Sequence, residues 1–425
     1  MSPAVITILV TIGFAVLLFS GKFSFGLVAM TAAFTLIATG VLDLQTGLAG
    51  MTSNTVVMVA SMMVMAAALR KTNIPYVLSK ALGRIGGKKD MLLAISVFAV
   101  LVIMELFLGF IVSSILILSI LQTLPKESKV NSYRMLFPMM MLGSLWEHTF
   151  PVGMGATTDM MTNSFAKGVV TDPAMQLVFL DSFKAKLLPV AVLFVFCCII
   201  WKFIPDGEVE MGEHAVGEIK KSELPKWKEI LVYVLFVLTF VAMIFSKVFG
   251  SMMYVIPAVS VLIFSYTHIL DRKEIMANVA GNVTWLLIGI QAVTSALTAS
   301  GATAIIGQFL SPLFTWTSNG FLVLIMVGMV TMLMTSFLSN VGTWAVLTPL
   351  VAAAAVSAGL NPRPMMLMVG SCCTIAFMVP SGSANTGMVF SMGHYSPAKM
   401  LKFTLPASIL TVLVTAVSVM IVAPF

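Results

Sequence analysis

Charge is what this sequence has least of. Asp, Glu, Lys and Arg make up 10% of its 425 residues, against about a quarter in a soluble domain, so the chain is no water-soluble globule. Alternating strands of about 10 residues, the mark of an outer-membrane barrel, are also missing. Cysteine occurs only as two adjacent pairs, Cys197-Cys198 and Cys372-Cys373, each inside an apolar run. Neighbouring cysteines suit neither a zinc site nor a redox CxxC, and they read as small buried apolar residues. His148, His214, His268 and His394 are scattered, and neither HExxH nor a phosphate-binding loop occurs. Nothing points to soluble-type catalysis, and the chain is not expected to be an enzyme. The opening MSPAVITILVTIGFAVLLFSGK has no basic segment ahead of its apolar core and no small-residue cleavage site, so no cleavable signal peptide is expected.

What is present is apolar: 59% hydrophobic residues and 34 methionines, with a mean hydropathy of +1.04. The apolar runs recur from residue 3 to residue 423, which predicts an all-α polytopic protein of the lipid bilayer, multi-pass in the plasma (cell inner) membrane. The net charge of +7 is then a topology signal, and no nucleic-acid partner is expected.

Spans are predicted at 3–19, 23–42, 55–70, 135–165 (interrupted), 186–204, 229–246, 252–270, 283–299, 364–395 (interrupted) and 403–423. The hydrophilic stretch 205–228, with Asp206, Glu208, Glu210, Glu213, Lys220, Lys221 and Lys228, divides 1–204 from 229–425 as a cytoplasmic linker. Residues 91–124 are too short for two full crossings. They are flanked by Arg70, Lys71, Lys80, Arg84, Lys88 and Lys89 on one side and Lys126, Lys129 and Arg134 on the other. Basic flanks face the cytoplasm, so the segment enters and leaves on one side as a re-entrant hairpin with its tip near 108–114. Residues 321–358 form a second apolar pair folded about Ser339-Asn340. No charge occurs between Glu274 and Arg363, which suits the outside. Both termini are then expected outside, with 71–90, 125–134 and 205–228 in the cytoplasm. Five spans per half, an odd number, invert the second half relative to the first, as in the inverted repeats of secondary transporters.

Two spans are broken in like manner, LWEHTFPVGMGATTDMM (145–161) and IAFMVPSGSANTGMVF (375–390). Each places proline, glycine and small polar residues at membrane depth. Unwound backbone there is tolerated only where it is buried in protein or lines a cavity. Half-helices meeting at Asn340 and at Ser383–Asn385 aim positive N-termini and bare carbonyls at one midplane site. N-termini suit an anion, and carbonyl, Asn and Ser oxygens suit Na⁺. The same Ser and Asn could instead join helices by hydrogen bonds.

SFLSNVGTWAVLTPL (336–350) resembles the Ser-Asn-Thr hairpin of the divalent anion–sodium symporter family. AFMVPSGSANTGMVFSMGHYSP resembles the family's second glycine-rich break, and SNTVVMVASMMVMAAALRKTNI (53–74) its span before an interfacial helix. The resemblance implies a homodimer with an elevator-like movement of the hairpin-bearing domain, carrying dicarboxylates, citrate or sulfate with Na⁺. It further implies that Ser339, Asn340, Gly382, Ser383 and Asn385 serve a sodium site and part of the substrate site, with Thr343 near the motif's threonine. In the first half Thr157, Thr158, Asp159, Ser113 and Ser114 stand as the counterparts. Val341 replaces the motif's Thr, and the first hairpin has Gly109-Phe110 and Ser113-Ser114 in place of Ser-Asn-Thr.

Glu105, Glu147, His148 and Asp159 are the titratable groups placed well inside the first half. Intramembrane charge costs about 2.5–3.5 kcal/mol per residue on insertion scales. Asp159 and Glu147 can supply oxygens to a cation site, or Glu147, His148 and Glu105 can relay a proton. The expected function is symport of a small anion with sodium, H⁺ being the other coupling ion these residues permit. A monovalent cation/proton antiporter on the same scaffold, exchanging at Asp159, and a non-transporting membrane subunit stay open on residues alone.

Overall fold

The computed structural model describes residues 1–20, 22–77, 90–122, 129–151, 153–210 and 221–425. Lys80, Arg84, Lys88, Lys89 and Lys126 of the predicted basic flanks, and Glu213 and Lys220 of the linker, lie outside the described residues.

The described residues form helices and turns, and the helices begin where the sequence offers caps. Helix α1 (Pro3–Phe19) starts on proline, with Ser2 accepting from the Val5 amide, and is followed by α2 (Phe25–Ala38) and α3 (Asn54–Arg70). The first hairpin is α4 (Asp90–Leu108) and α5 (Phe110–Leu121). The first broken span is α6 (Ser132–Trp146) and α7 (Thr158–Phe165), and α8 (Asp181–Ile200) closes the half. The second half runs α9 (Lys226–Ile244), α10 (Met252–Tyr266), α11 (Asn282–Ala299) and α12 (Ala302–Leu310). Its hairpin is α13 (Gly320–Phe337) and α14 (Asn340–Ser357). The second broken span is α15 (Pro362–Cys372) and α16 (Ala384–Met392), and α17 (Pro397–Val422) ends it. Seven helical stretches among the described residues are long and apolar enough to cross a bilayer. Among the described residues, helices are interrupted at Gly109 and at Leu338-Ser339, and again after Trp146 and after Cys372.

Packing joins the halves crosswise. α2 lies along α11, α3 lies along α10, and the two last helices, α8 and α17, lie along each other. Several polar side chains inside the apolar helices are satisfied locally: Thr7, Thr331 and Thr411 donate to the carbonyls of Pro3, Val327 and Ala407 one turn back. Longer ties fix the breaks. The Gln291 amide of α11 donates to Ser53 and to Ser164 of α7, and Arg363 at the start of α15 reaches Asp181 at the start of α8 at 2.8 Å. Apolar residues left outside this packing, such as Leu9, Ile12 and Val16 of α1 and Ile230, Val234 and Val237 of α9, face where lipid would lie.

The two hairpin turns are built differently. Ser339 has ordinary extended angles and caps α14 by accepting from the Gly342 amide. Gly109 has φ +74° and ψ 168°, a region essentially closed to residues with a Cβ. Gly109→Ala should therefore cost about 1–3 kcal/mol and lower the thermal transition of the purified protein. Ser339→Ala loses only a cap, about 1 kcal/mol. An unchanged transition in Gly109→Ala would contradict this account of the tip.

Candidate functional site

Breaking a helix exposes unpaired N–H groups at one new end and unpaired carbonyls at the other. The N-terminal ends of α14 and α16 open onto one cavity of about 510 Å³, lined by Ser339, Asn340, Gly382, Ser383 and Asn385 with Glu147 and His148. Ser339 and Ser383 are the two N-caps. Ser383 accepts from the Thr386 amide at 3.1 Å and lies 2.8 Å from the Thr386 hydroxyl. That hydroxyl's own proton goes to the Ala376 carbonyl, so Ser383 is the donor between the two side chains. Gly382 comes so near the Ala376 carbonyl that a Cβ would lie 2.4 Å from it, so the unwound chain can cross here only as glycine.

Asn340 is held from behind. The Thr335 hydroxyl lies 3.0 Å from the Asn340 amide oxygen and 2.6 Å from the Cys373 carbonyl, which ties the hairpin tip to the second break. Asn385 reaches across to the first break, its amide donating to the Glu147 carboxylate at 3.4 Å. His148 Nε2 lies 3.9 Å from the other Glu147 oxygen. The sharp turn after α6 puts His148 at φ +58°, a region where His is several-fold enriched among non-glycine residues.

Glu147 and His148 also line a second cavity of about 270 Å³, with Glu105, Gly109, Phe110, Trp146 and Arg70. Glu105 is 9% exposed, and neither carboxylate oxygen has a hydrogen-bond partner. The Glu147-His148 pair thus sits between a cavity at the first hairpin tip and one at the second.

Other residues singled out in the sequence do not reach either cavity. Ser113 and Ser114 donate to the carbonyls of Gly109 and Ile111 in their own helix. Thr343 is fully buried with an unpartnered hydroxyl. Thr158 donates to the His148 carbonyl, and the Thr157 hydroxyl lies 3.8 Å from the Met161 sulfur. Asp159 accepts from the Ser182 amide and hydroxyl at 2.9 and 2.6 Å, which makes it a tie between α7 and α8. Among the described residues no group of three or more His, Cys, Asp or Glu is placed to hold a metal.

Three residues escaped the sequence reading. Thr335 looked like one more helical threonine, and Arg70 looked like part of a cytoplasmic flank. Lys186 stands in DSFKAKLLPV, where a charge at the edge of an apolar run reads as interfacial. Its ammonium is instead fully buried, 3.4 Å from the Glu147 carbonyl and 3.1 Å from the Thr374 hydroxyl.

Comparison with known proteins places this geometry in context. A family model described as citrate transporter matches residues 15–320 and 248–424. Among curated proteins, an uncharacterized transporter of Synechocystis is 30% identical over 153 residues, 36% of this chain and 25% of that protein. Solute carrier family 13 member 1 of Mus musculus is 28% identical over 178 residues, 40% and 30% of the two chains. Na(+)/dicarboxylate cotransporter 3 of Rattus norvegicus is 27% identical over 150 residues, 35% and 25%. The matched stretches thus span about a quarter to a third of these relatives' own length. In fold, the chain is similar to the YdaH transporter of Alcanivorax borkumensis, with a TM-score of 0.64 at 13% identity, covering 99% of this chain and 98% of that one. These likenesses agree with the divalent anion–sodium symporter resemblance carried by the Ser-Asn hairpin.

The four native cysteines are all buried, so a water-soluble thiol reagent should leave the folded protein unlabelled. Ser383→Cys should react readily through the cavity, and Thr343→Cys should react only after unfolding. Mass spectrometry of the purified variants reads both, and the reverse order would displace the cavity from the second break.

Proposed function

We propose, from the premise that this chain belongs to the citrate transporter family and is a multi-pass secondary transporter, that it carries a small di- or tricarboxylate or sulfate-like anion together with Na⁺. One observation carries the reading: the N-termini of α14 and α16 open onto a single cavity rimmed by Ser339, Asn340, Ser383 and Asn385. Helix N-termini present N–H groups and partial positive charge, which suit a carboxylate or sulfate. Amide and hydroxyl oxygens of Asn340, Ser339 and Ser383, with unwound carbonyls near Gly382, suit a hard monovalent cation. Sodium bound there offsets part of the anion's charge, so each ligand favours the other. The printed name of one relative, Na(+)/dicarboxylate cotransporter 3, is in keeping with this pairing.

In this reading the two successions of helices are inverted repeats, and the hairpins are re-entrant. The breaks, hairpins, α8 and α17 move as one body against the α2–α11 and α3–α10 pairs in an elevator-type cycle, within a homodimer. The crosswise packing is what such a repeat would give. Ser113, Ser114 and Thr343 drop out as ligands because their hydroxyls do not face a cavity. Asp159 keeps a positioning role through Ser182, which leaves the antiporter alternative without a free exchanging carboxylate at that place.

Uptake of labelled citrate, succinate and sulfate into proteoliposomes, with and without a sodium gradient, tests the proposal. At least one anion should enter in a sodium-dependent manner. Asn340→Ala should then lower sodium-dependent uptake about tenfold, the effect of losing ~1.4 kcal/mol of ion binding, with little change in thermal stability. Equal losses of stability and uptake would make Asn340 an interhelical tie, and sodium-indifferent uptake would remove sodium from the mechanism.

A further inference from the structure

The N-terminal ends of α14 and α16 face the larger cavity, and the carbonyl ends of two other half-helices meet at a different side chain. α6 ends at Trp146, followed by Glu147, and α15 ends at Cys372, followed by Cys373 and Thr374. These two C-terminal ends come together around one side chain, Lys186 of α8. Its ammonium lies 3.4 Å from the Glu147 carbonyl and 3.1 Å from the Thr374 hydroxyl. The Thr374 proton is directed to the Ser371 carbonyl, so the hydroxyl meets Lys186 as an acceptor. Lys186 is 0% exposed. Ser182, one turn before Lys186 on α8, donates to Asp159 of α7.

A helix C-terminus carries about half a negative charge, and a cation is stabilised there. Two such ends meeting at membrane depth need a positive charge. In transporters with broken helices, unwound carbonyls and half-helix C-termini are where a coupling cation binds. We infer that Lys186 is a built-in cation: its tethered ammonium fills a monovalent-cation site between the two breaks, in place of a dissociable ion. The assignment has two consequences. The protein holds one positive charge at this crossing through the whole cycle, so the site takes one sodium fewer than one with two dissociable cations. Removing the side chain also uncovers a site of definite chemistry, oxygen-lined and sized for a small ammonium ion.

The inference adds to the sodium–anion reading, and its first test uses no substrate. The full-length purified protein is unfolded thermally in methylammonium chloride, with choline chloride at equal concentration as the control for ionic strength. Lys186→Ala should unfold below wild type and regain stability with methylammonium but not with choline. Wild type should respond alike to the two salts. A ligand that binds only the folded state raises stability in proportion to its occupancy, so an Ala variant that responds equally to both salts overturns the inference. Should Lys186→Ala fail to fold, Lys186→Met supplies the volume without the charge. It should unfold earlier than wild type and lose sodium-driven citrate uptake, whereas wild-type stability and uptake in Lys186→Met would overturn the built-in cation. Absence of uptake of any anion by wild type would strike the transport reading alone, since the methylammonium response is read without substrate.

Discussion

An interrupted helix inside a bilayer has ends that lipid cannot satisfy. Each such end carries unpaired backbone groups and about half a charge, and in hydrocarbon an unsatisfied polar group costs several kcal/mol. Much of the core of this protein follows from that constraint. The surroundings of the breaks after Trp146 and Cys372 and of the turns at Gly109 and Ser339 supply caps, cavities or a counter-charge. Ser339 and Ser383 take the first amides of α14 and α16, and Thr335 and Ser182 hold Asn340 and Asp159 from behind.

Two positive ends, those of α14 and α16, look into the larger cavity with Asn340 and Asn385 beside them, and the negative ends of α6 and α15 meet at Lys186. Glu147 belongs to both places. Its carbonyl meets the lysine, while its carboxylate meets Asn385 and faces the two cavities. A shift of the first break would therefore be felt at the second through a single residue. The halves are alike in element order and unlike in chemistry. The second hairpin presents Ser-Asn at its tip with Thr335 one turn before. The first presents Gly-Phe, with Glu105 in the place one turn before the tip.

The architecture was legible in the sequence because its causes are local. Apolar runs of span length, the turns at Gly109 and Ser339-Asn340, and proline with glycine at membrane depth each act within a few residues. The meeting of Ser339, Asn340, Ser383 and Asn385 at one cavity was legible in the second half for the same reason, since a serine ahead of Asn340 and another ahead of Asn385 both act as N-caps. In the first half the chemistry was not. Whether the hydroxyl of Ser113 turns to a cavity or to the carbonyl one turn back depends on neighbours remote in sequence, as does the burial of Thr343. Lys186 escaped notice for a related reason. A charge at the end of an apolar run looks interfacial until α6 and α15, contributed by different halves, are seen to end beside it. Arg70 was counted with the basic flank although it lines the smaller cavity.

The central claim is that the ends of α14 and α16 form one site for an anion and its sodium ion. A cryo-electron microscopy map of the protein in lipid nanodiscs, prepared with sodium and citrate and compared with one in choline without citrate, tests it most directly. The account predicts added density within the cavity bounded by Ser339, Asn340, Ser383 and Asn385, with a compact feature beside Asn340. Citrate density resting elsewhere, with that cavity unchanged between the two maps, would contradict it.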